Sequence, residues 1–325
     1  MTLIRQPTPE NIFLAARNLK NGALIGLPTE TVYGLAADAE NETAVRRIYE
    51  VKGRPFDHPL IVHIGSIEYL DKWARDIPES AWHLANEFWP GPMTLILKRS
   101  KIAKNFITGN QESIAIRYPS HKVAQLILEQ FHEIGGKGLA APSANKFGAV
   151  SPTNALEVEE DIGTRINSKT DIIVDGGKCI LGLESTIINC TSKYPEILRS
   201  GFLTRNRIAK VLKIADSDFN SVSSNSMRFP GKYARHYSPR TKILINKLGI
   251  DGDGFIALDS IDTPKGLIRL SNPKNTKEFA QTLYESFRLA DKLKIKQLTI
   301  ILPENDELTE VIADRVSRAA GILDM

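Results

Sequence analysis

Short apolar runs recur along this chain, separated by stretches whose apolar residues return every three or four positions. That alternation restricts the fold to a mixed α/β architecture. Residues 23–27, 60–64, 93–98, 113–117, 139–141, 171–174, 185–189 and 196–198 read as strands. Helical patterns fall at 42–51, 80–88, 122–131 and 154–162. The first helix is marked at both ends: Thr8 caps it, Pro9 takes the first helical position, Ile12, Ala15, Ala16 and Leu19 form its apolar stripe, and Asn21-Gly22 stops it.

The pattern breaks near residue 213. Ser, Asp and Asn dominate 217–226, and then comes FPGKYARHYSP, residues 229–239. A passive spacer gains nothing from two tyrosines, a histidine, a lysine and an arginine in so short a span. Strand-like runs resume at 242–245, 255–258, 267–270 and 298–302. A helix with Phe279, Leu283, Phe287 and Ala290 on one face lies between the last two, and a final helix covers 307–320. The expected organisation is a domain over 1–212, a linker over 213–240 and a smaller Rossmann-like α/β domain over 241–325.

With 325 residues, 42% hydrophobic and 25% charged, the composition is that of a globular protein, and the net charge of +4 is spread along the chain. Anion binding is permitted but not demanded. The opening segment lacks the apolar core of a signal peptide, and no run approaches the ~20 apolar residues of a membrane span. Only Cys179 and Cys190 occur, which disfavours a disulfide framework or a cysteine-built zinc site and fits a reducing cytoplasm.

Several segments carry candidate chemistry. In GLPTETVYGLAAD, residues 26–38, two hydroxyls and a carboxylate open a loop at the carboxyl end of a strand, where a simple turn would suffice. Side chains alternate along SIAIR, so Ser113, Ala115 and Arg117 share one face while Ile114 and Ile116 face the core, leaving room for an anion. An arginine snorkelling to water is the competing reading. His63 likewise stands opposite Val62 and Ile64. Lys52 and Arg54 flank Gly53 before Pro55, a rigid turn bearing two cations that suits phosphates, with solvated surface charge as the alternative. Ala141, Ser143 and Asn145, then Ser185, then Arg199 end strands with small, hydroxyl or cationic side chains. Together they suggest a concave site for a nucleotide and a small zwitterion. Gly-Gly-Lys occurs at 135–137 and 176–178 without the spacing of a P-loop, and no G-x-G-x-x-G, H-E-x-x-H or G-x-S-x-G motif is present.

The ordered set PTETVYGLAAD, KGRPFDHPLIVH, WPGPMTLIL, AIRYPSH, APSAN, LGLESTII and ILRSG resembles the YrdC-like family of threonylcarbamoyl-AMP synthases. FPGKYARHYSP followed by a small α/β domain resembles its longer, two-domain form. The resemblance implies a twisted, mixed, open sheet flanked by helices. It also implies a nucleotidyltransferase that joins L-threonine, bicarbonate and ATP, with Mg²⁺, into threonylcarbamoyl-AMP and releases pyrophosphate. A separate transferase then modifies the tRNA adenosine next to the anticodon. By the same resemblance Thr31, His63, Arg117, Ala141 and Ser185 hold threonine, and Lys52 and Arg54 serve the reacting phosphates. His58, Ser113, Ser143, Asn145, Ser151 and Arg199 surround ATP, and Tyr233, His236 and Tyr237 close over it. A non-catalytic RNA-binding module is the rival, and weak RNA binding is compatible with either reading. A carbamoyl-transfer module of the hydrogenase-maturation type would need zinc-finger and acylphosphatase-like segments that the sequence does not show.

Overall fold

The computed structural model describes residues 2–192, 194–214, 227–231, 237–304 and 306–322. Among these, ten strands form one large sheet: β1 (Ile4–Arg5), β2 (Ile25–Leu27), β3 (Gly34–Asp38), β4 (Ile61–His63), β5 (Met93–Lys98), β6 (Ser113–Arg117), β7 (Leu139–Ala140), β8 (Ile172–Val174), β9 (Thr186–Asn189) and β10 (Glu196–Arg199). Their spatial order is β1-β8-β2-β3-β7-β4-β6-β5-β9-β10. The β1/β8, β2/β8, β4/β6 and β5/β9 pairs are parallel and the rest antiparallel, so the sheet is mixed.

The helices of this part are α1 (Pro9–Lys20), α2 (Glu42–Lys52), α3 (Leu70–Trp73), α4 (Glu79–Phe88), α5 (Asn105–Thr108), α6 (Lys122–Glu133), α7 (Ala155–Ile162) and α8 (Arg205–Leu212). Thr8 caps α1 as its sequence indicates, accepting from Asn11 N. The α1 stripe packs with Ile127, Leu128 and Phe131 of α6 on one face of the sheet, against Ile25, Ala36 and Leu139. On the opposite face, Val45 and Ile48 of α2, Leu84 of α4 and Val158 of α7 bury Leu35, Val62, Leu95 and Ile116.

The first face is covered by helix on only part of its width. Over β4, β6, β5 and β9, the small cluster of Ile61, Ile96, Ala115 and Ile187 packs instead against Met227 and Phe229, which follow the first domain in sequence. That arrangement leaves a concavity where, among the described residues, no helix lies.

The second sheet contains β11 (Lys242–Ile245), β12 (Gly254–Ile256), β13 (Ile268–Ser271) and β14 (Gln297–Ile300), all parallel, in the order β11-β14-β12-β13. Two helices, α9 (Thr276–Lys292) and α10 (Thr309–Ala320), pack with it. Its core also takes in Val32, Val150 and Leu183 of the first domain. The long helix α9 is further tied to the first domain by Arg288, which pairs with Asp161 at 2.7 Å, and by Lys292, which pairs with Glu160 at 2.8 Å. Among the described residues, no helix is long and apolar enough to cross a membrane.

Candidate active site

Strand register builds the site. His63 lies opposite Arg117 across β4/β6, and Arg117 lies opposite Thr94 across β6/β5. Thr94 pairs with Ile187 of β9, which pairs in turn with Arg199 of β10. Because neighbours in register point to the same face, His63, Arg117, Thr94 and Arg199 form a polar row across the uncovered half of the sheet. Two residues further along each strand the same face turns apolar, with Ile61, Ala115 and Ile96 in register.

The β2–β3 loop closes one side. Thr29 Oγ1 donates to Val32 O at 2.6 Å, and the Thr29 and Thr31 hydroxyl oxygens are 2.9 Å apart. This local network holds the loop in a hydroxyl turn. Arg117 Nη1 donates to Thr31 Oγ1 at 2.8 Å, while Arg117 Nη2 lies 2.8 Å from Glu30 Oε1. The guanidinium is 4% exposed, and its Nε has no hydrogen-bond partner among the described residues. One edge is thus fixed by the loop and the other is available.

On the opposite side, Ser185 Oγ is 2.7 Å from Thr94 Oγ1 and accepts from Arg199 Nη2 at 3.2 Å. Arg199 Nε donates to Ser185 O, and Nη1 donates to Pro230 O at 3.1 Å. Tyr237 and Pro230 complete the wall from the linker side, with Ala141, Ser143 and Arg54 facing them. The enclosed space among these residues is about 50 Å³.

His63 is 3% exposed and its Nδ1 has no hydrogen-bond partner among the described residues. Burial, and after it the neighbouring Arg117 charge, lowers its pKa to about 3, so the ring is neutral at pH 7. Burial likewise lowers His58 to about 4, with Arg54 adding to the effect.

Nine of the residues expected from sequence therefore line one cavity: Thr31, Arg54, His63, Arg117, Ala141, Ser143, Ser185, Arg199 and Tyr237. Lys52, His58, Ser113, Asn145 and Ser151 lie outside its wall. Lys52 Nζ is buried and donates to Ser143 O at 2.5 Å and Asn145 O at 2.6 Å, so it braces the turn that presents Ser143. Burial and the nearby Arg54 lower its pKa well below the usual lysine value. Asn145 donates to Lys146 O and Ala149 O, shaping the same turn. Ser151 donates to Glu184 Oε1 at 2.7 Å. Ser113 sits at the far end of β6 from Arg117, and His58 lies edge-on to the Phe147 ring. Tyr233 and His236 lie outside the described residues.

Sequence reasoning gave no role to Glu30, Thr94 or Glu184. Each adjoins a quoted motif or lies within one, yet its partner is a strand or helix remote in sequence, which no local pattern discloses. Among the described residues no group of three or more His, Cys, Asp or Glu side chains could hold a metal ion.

Comparison with known proteins agrees with this architecture. Residues 17–201 match the Sua5/YciO/YrdC family, described as "Telomere recombination". Residues 203–321 match the C-terminal domain of threonylcarbamoyl-AMP synthase. A threonylcarbamoyl-AMP synthase of Pyrococcus abyssi is 34% identical over 95% of this chain and 94% of its own length. Another, from Bacillus subtilis, is 40% identical over 71% of this chain and 65% of the relative. The crystal structure of P. abyssi Sua5 complexed with L-threonine superposes with a TM-score of 0.85 at 33% identity, covering 99% of this chain and 98% of that one. The chain therefore belongs to the Sua5/YciO/YrdC family, and its second domain places it among the two-domain threonylcarbamoyl-AMP synthases.

Proposed function

We propose that the cavity binds L-threonine beside ATP, and that the chain joins them with bicarbonate into threonylcarbamoyl-AMP, releasing pyrophosphate. The observation that carries this reading is the polar row on the uncovered sheet face, in which Arg117 is anchored along one edge and presents another to an anion. Threonine's carboxylate meets Arg117 there. His63, held neutral, offers its ring nitrogen to the amine or hydroxyl without repelling an ammonium. Thr31 and Ser185 contribute hydroxyls, and Ala141 keeps that wall small.

Arg199 and Arg54 receive the phosphates, with Ser143 on the same wall and the carbonyl-bound Lys52 behind it. ATP extends beyond the cavity along the strand face toward Ser113 and His58, with Asn145 and Ser151 shaping the turn beneath it. Threonine's neutral amine attacks carbon dioxide with loss of a proton, or bicarbonate with loss of water, and the resulting carbamate oxygen attacks the α-phosphorus in line as pyrophosphate leaves. No protein nucleophile is required, so the chain acts by positioning and charge stabilisation. Mg²⁺, when bound, would screen the phosphates and be held mainly by them.

The linker is the proposed lid. A space of ~50 Å³ admits only a few waters, against the ~300–1,000 Å³ of small-molecule sites, so entry requires Pro230 and Tyr237 to withdraw. Closure protects a carbamate and a mixed anhydride from water. The product passes to a separate transferase acting on tRNA, in a reducing cytoplasm that suits the two buried free thiols.

The rival RNA-binding reading finds less support. One surface groove carries Arg46, Arg75, Arg99, Lys101 and Lys104, of which the three arginines pair with Glu42, Asp76 and Glu112 at 2.6, 2.7 and 2.6 Å. The deciding experiment measures pyrophosphate release from ATP with threonine and bicarbonate omitted in turn. Release that needs both supports the synthase; no release above background under any condition, with salt-sensitive RNA binding, supports the rival.

A further inference from the structure

The smaller domain reaches the site through one buried polar cluster. Glu184 lines the cavity and precedes Ser185. Its carboxylate accepts from Ser151 at 2.7 Å, from the Tyr284 hydroxyl of α9 at 2.9 Å and from Arg315 Nε of α10 at 3.1 Å. Arg315 is fully buried and also donates to the carbonyl of Ser200, next to Arg199, at 2.8 Å. Its guanidinium lies 5.3 Å from the centroid of the Tyr237 ring, which stacks on Tyr284 at 5.6 Å.

We propose that Arg315 and Tyr284 are positioning residues for the active site, fixing from the second domain the strand ends that carry Ser185 and Arg199 and the seat of Tyr237. This inference rests on the cavity being the synthase site. The geometry separates the cluster from ordinary domain adhesion. Arg315 bridges both chain segments that converge on the Ser185–Arg199 hydrogen bonds, one through Glu184 and the other through Ser200. Another interdomain contact, Arg288 with Asp161 and with Val150 O, lies on α7 and the neighbouring loop and touches neither segment. A domain that only needed to be held in place could rely on contacts of the Arg288 kind. Burying a guanidinium against a cavity-lining carboxylate has a use when the carboxylate's position matters.

The test uses the full chain with Arg315→Met, Arg315→Lys, Tyr284→Phe and, as the control, Arg288→Met. Steady-state pyrophosphate release gives kcat and the separate KM values for threonine and ATP. Amide hydrogen exchange reports on residues 185–187 and 199–201. Arg315→Met should lower kcat about 10²-fold, the scale of a ~1 Å misplacement, and speed exchange in both segments. Arg315→Lys should recover part of the rate. Tyr284→Phe, which leaves the ion pair intact and so avoids stranding a buried charge, should change kcat in the same direction by less. Arg288→Met should lower the melting temperature without moving kcat or local exchange. Parallel losses in Arg288→Met, or parental kcat and exchange in both Arg315→Met and Tyr284→Phe, would overturn the inference. If the parental chain shows no threonine-dependent release while the exchange pattern appears as stated, it is the synthase reading that fails and the positional coupling that stands.

Discussion

Replacing Glu30 by glutamine would test how Arg117 is held and what its available edge is for. The two side chains meet at 2.8 Å and are each 5% exposed. Removing one partner of such a pair strands the other charge in a poorly solvated place, at about 3–5 kcal/mol. In a domain of this size ~1 kcal/mol shifts the unfolding midpoint by ~2–4 °C, so Glu30→Gln should melt roughly 6–20 °C below the parent. Threonine brings a carboxylate to the same guanidinium and should therefore stabilise the variant more than it stabilises the parent. Threoninamide, which lacks the carboxylate, should not. Thermal unfolding of both chains, alone and with each compound, measures all of this. A midpoint within about 2 °C of the parent would refute the ion-pair argument. An equal or smaller threonine shift in the variant would refute the placement of the carboxylate at Arg117.

Arg54→Ala should slow adenylate formation in a single-turnover assay, and an unchanged rate would remove Arg54 from the phosphate site. His63 gives a pH signature: an unfolded chain protonates this ring near pH 6.5, whereas the folded chain resists protonation down to about 3. The unfolded state then binds the extra proton, so stability falls as pH drops from ~6.5 toward 3, and His63→Gln should flatten the stability curve there; equal slopes in denaturant titrations would contradict the assignment. At Gly231, where φ is +93°, an added Cβ would lie 2.8 Å from the Tyr237 hydroxyl oxygen and 3.3 Å from Arg199 Cδ. Gly231→Ala should therefore unseat the linker and raise the KM for ATP while leaving threonine affinity in isothermal titration near the parental value; a parental KM for ATP would argue against the lid.

What was legible in the sequence was whatever depends on local periodicity. The alternation in residues 113–117 identified the face shared by Ser113 and Arg117, and the cap and stripe of α1 fixed that helix almost to the residue. Strand β3 escaped notice because all five of its residues are buried, leaving no polar alternation, and because Gly34 made its start resemble a turn. The helix α8 buries only Ile208 and Ala209 among its eight residues, too little apolar signal to stand out. Lys52 illustrates the limit at the site. Its position beside Arg54 suggested a phosphate contact, but its ammonium is engaged by carbonyls of a turn more than ninety residues away. Glu184 is similar: its partners sit on α9 and α10, and nothing in either helix's amphipathic pattern distinguishes a residue that faces a neighbouring domain from one that faces its own sheet.

The place of β8 in the large sheet has a consequence for how the protein is made. Strands β1 and β2 each pair in parallel with β8. Until residues 172–174 leave the ribosome, the edge of β2 that β8 will cover has no partner. At ~5–20 residues per second that gap lasts roughly 7–30 s. An apolar edge exposed for so long is a template for wrong pairing. The nascent chain therefore passes through a period in which a holdase has something to bind, and the seam can close before Ser185 and Arg199, the site residues just before β9 and at the end of β10, have emerged.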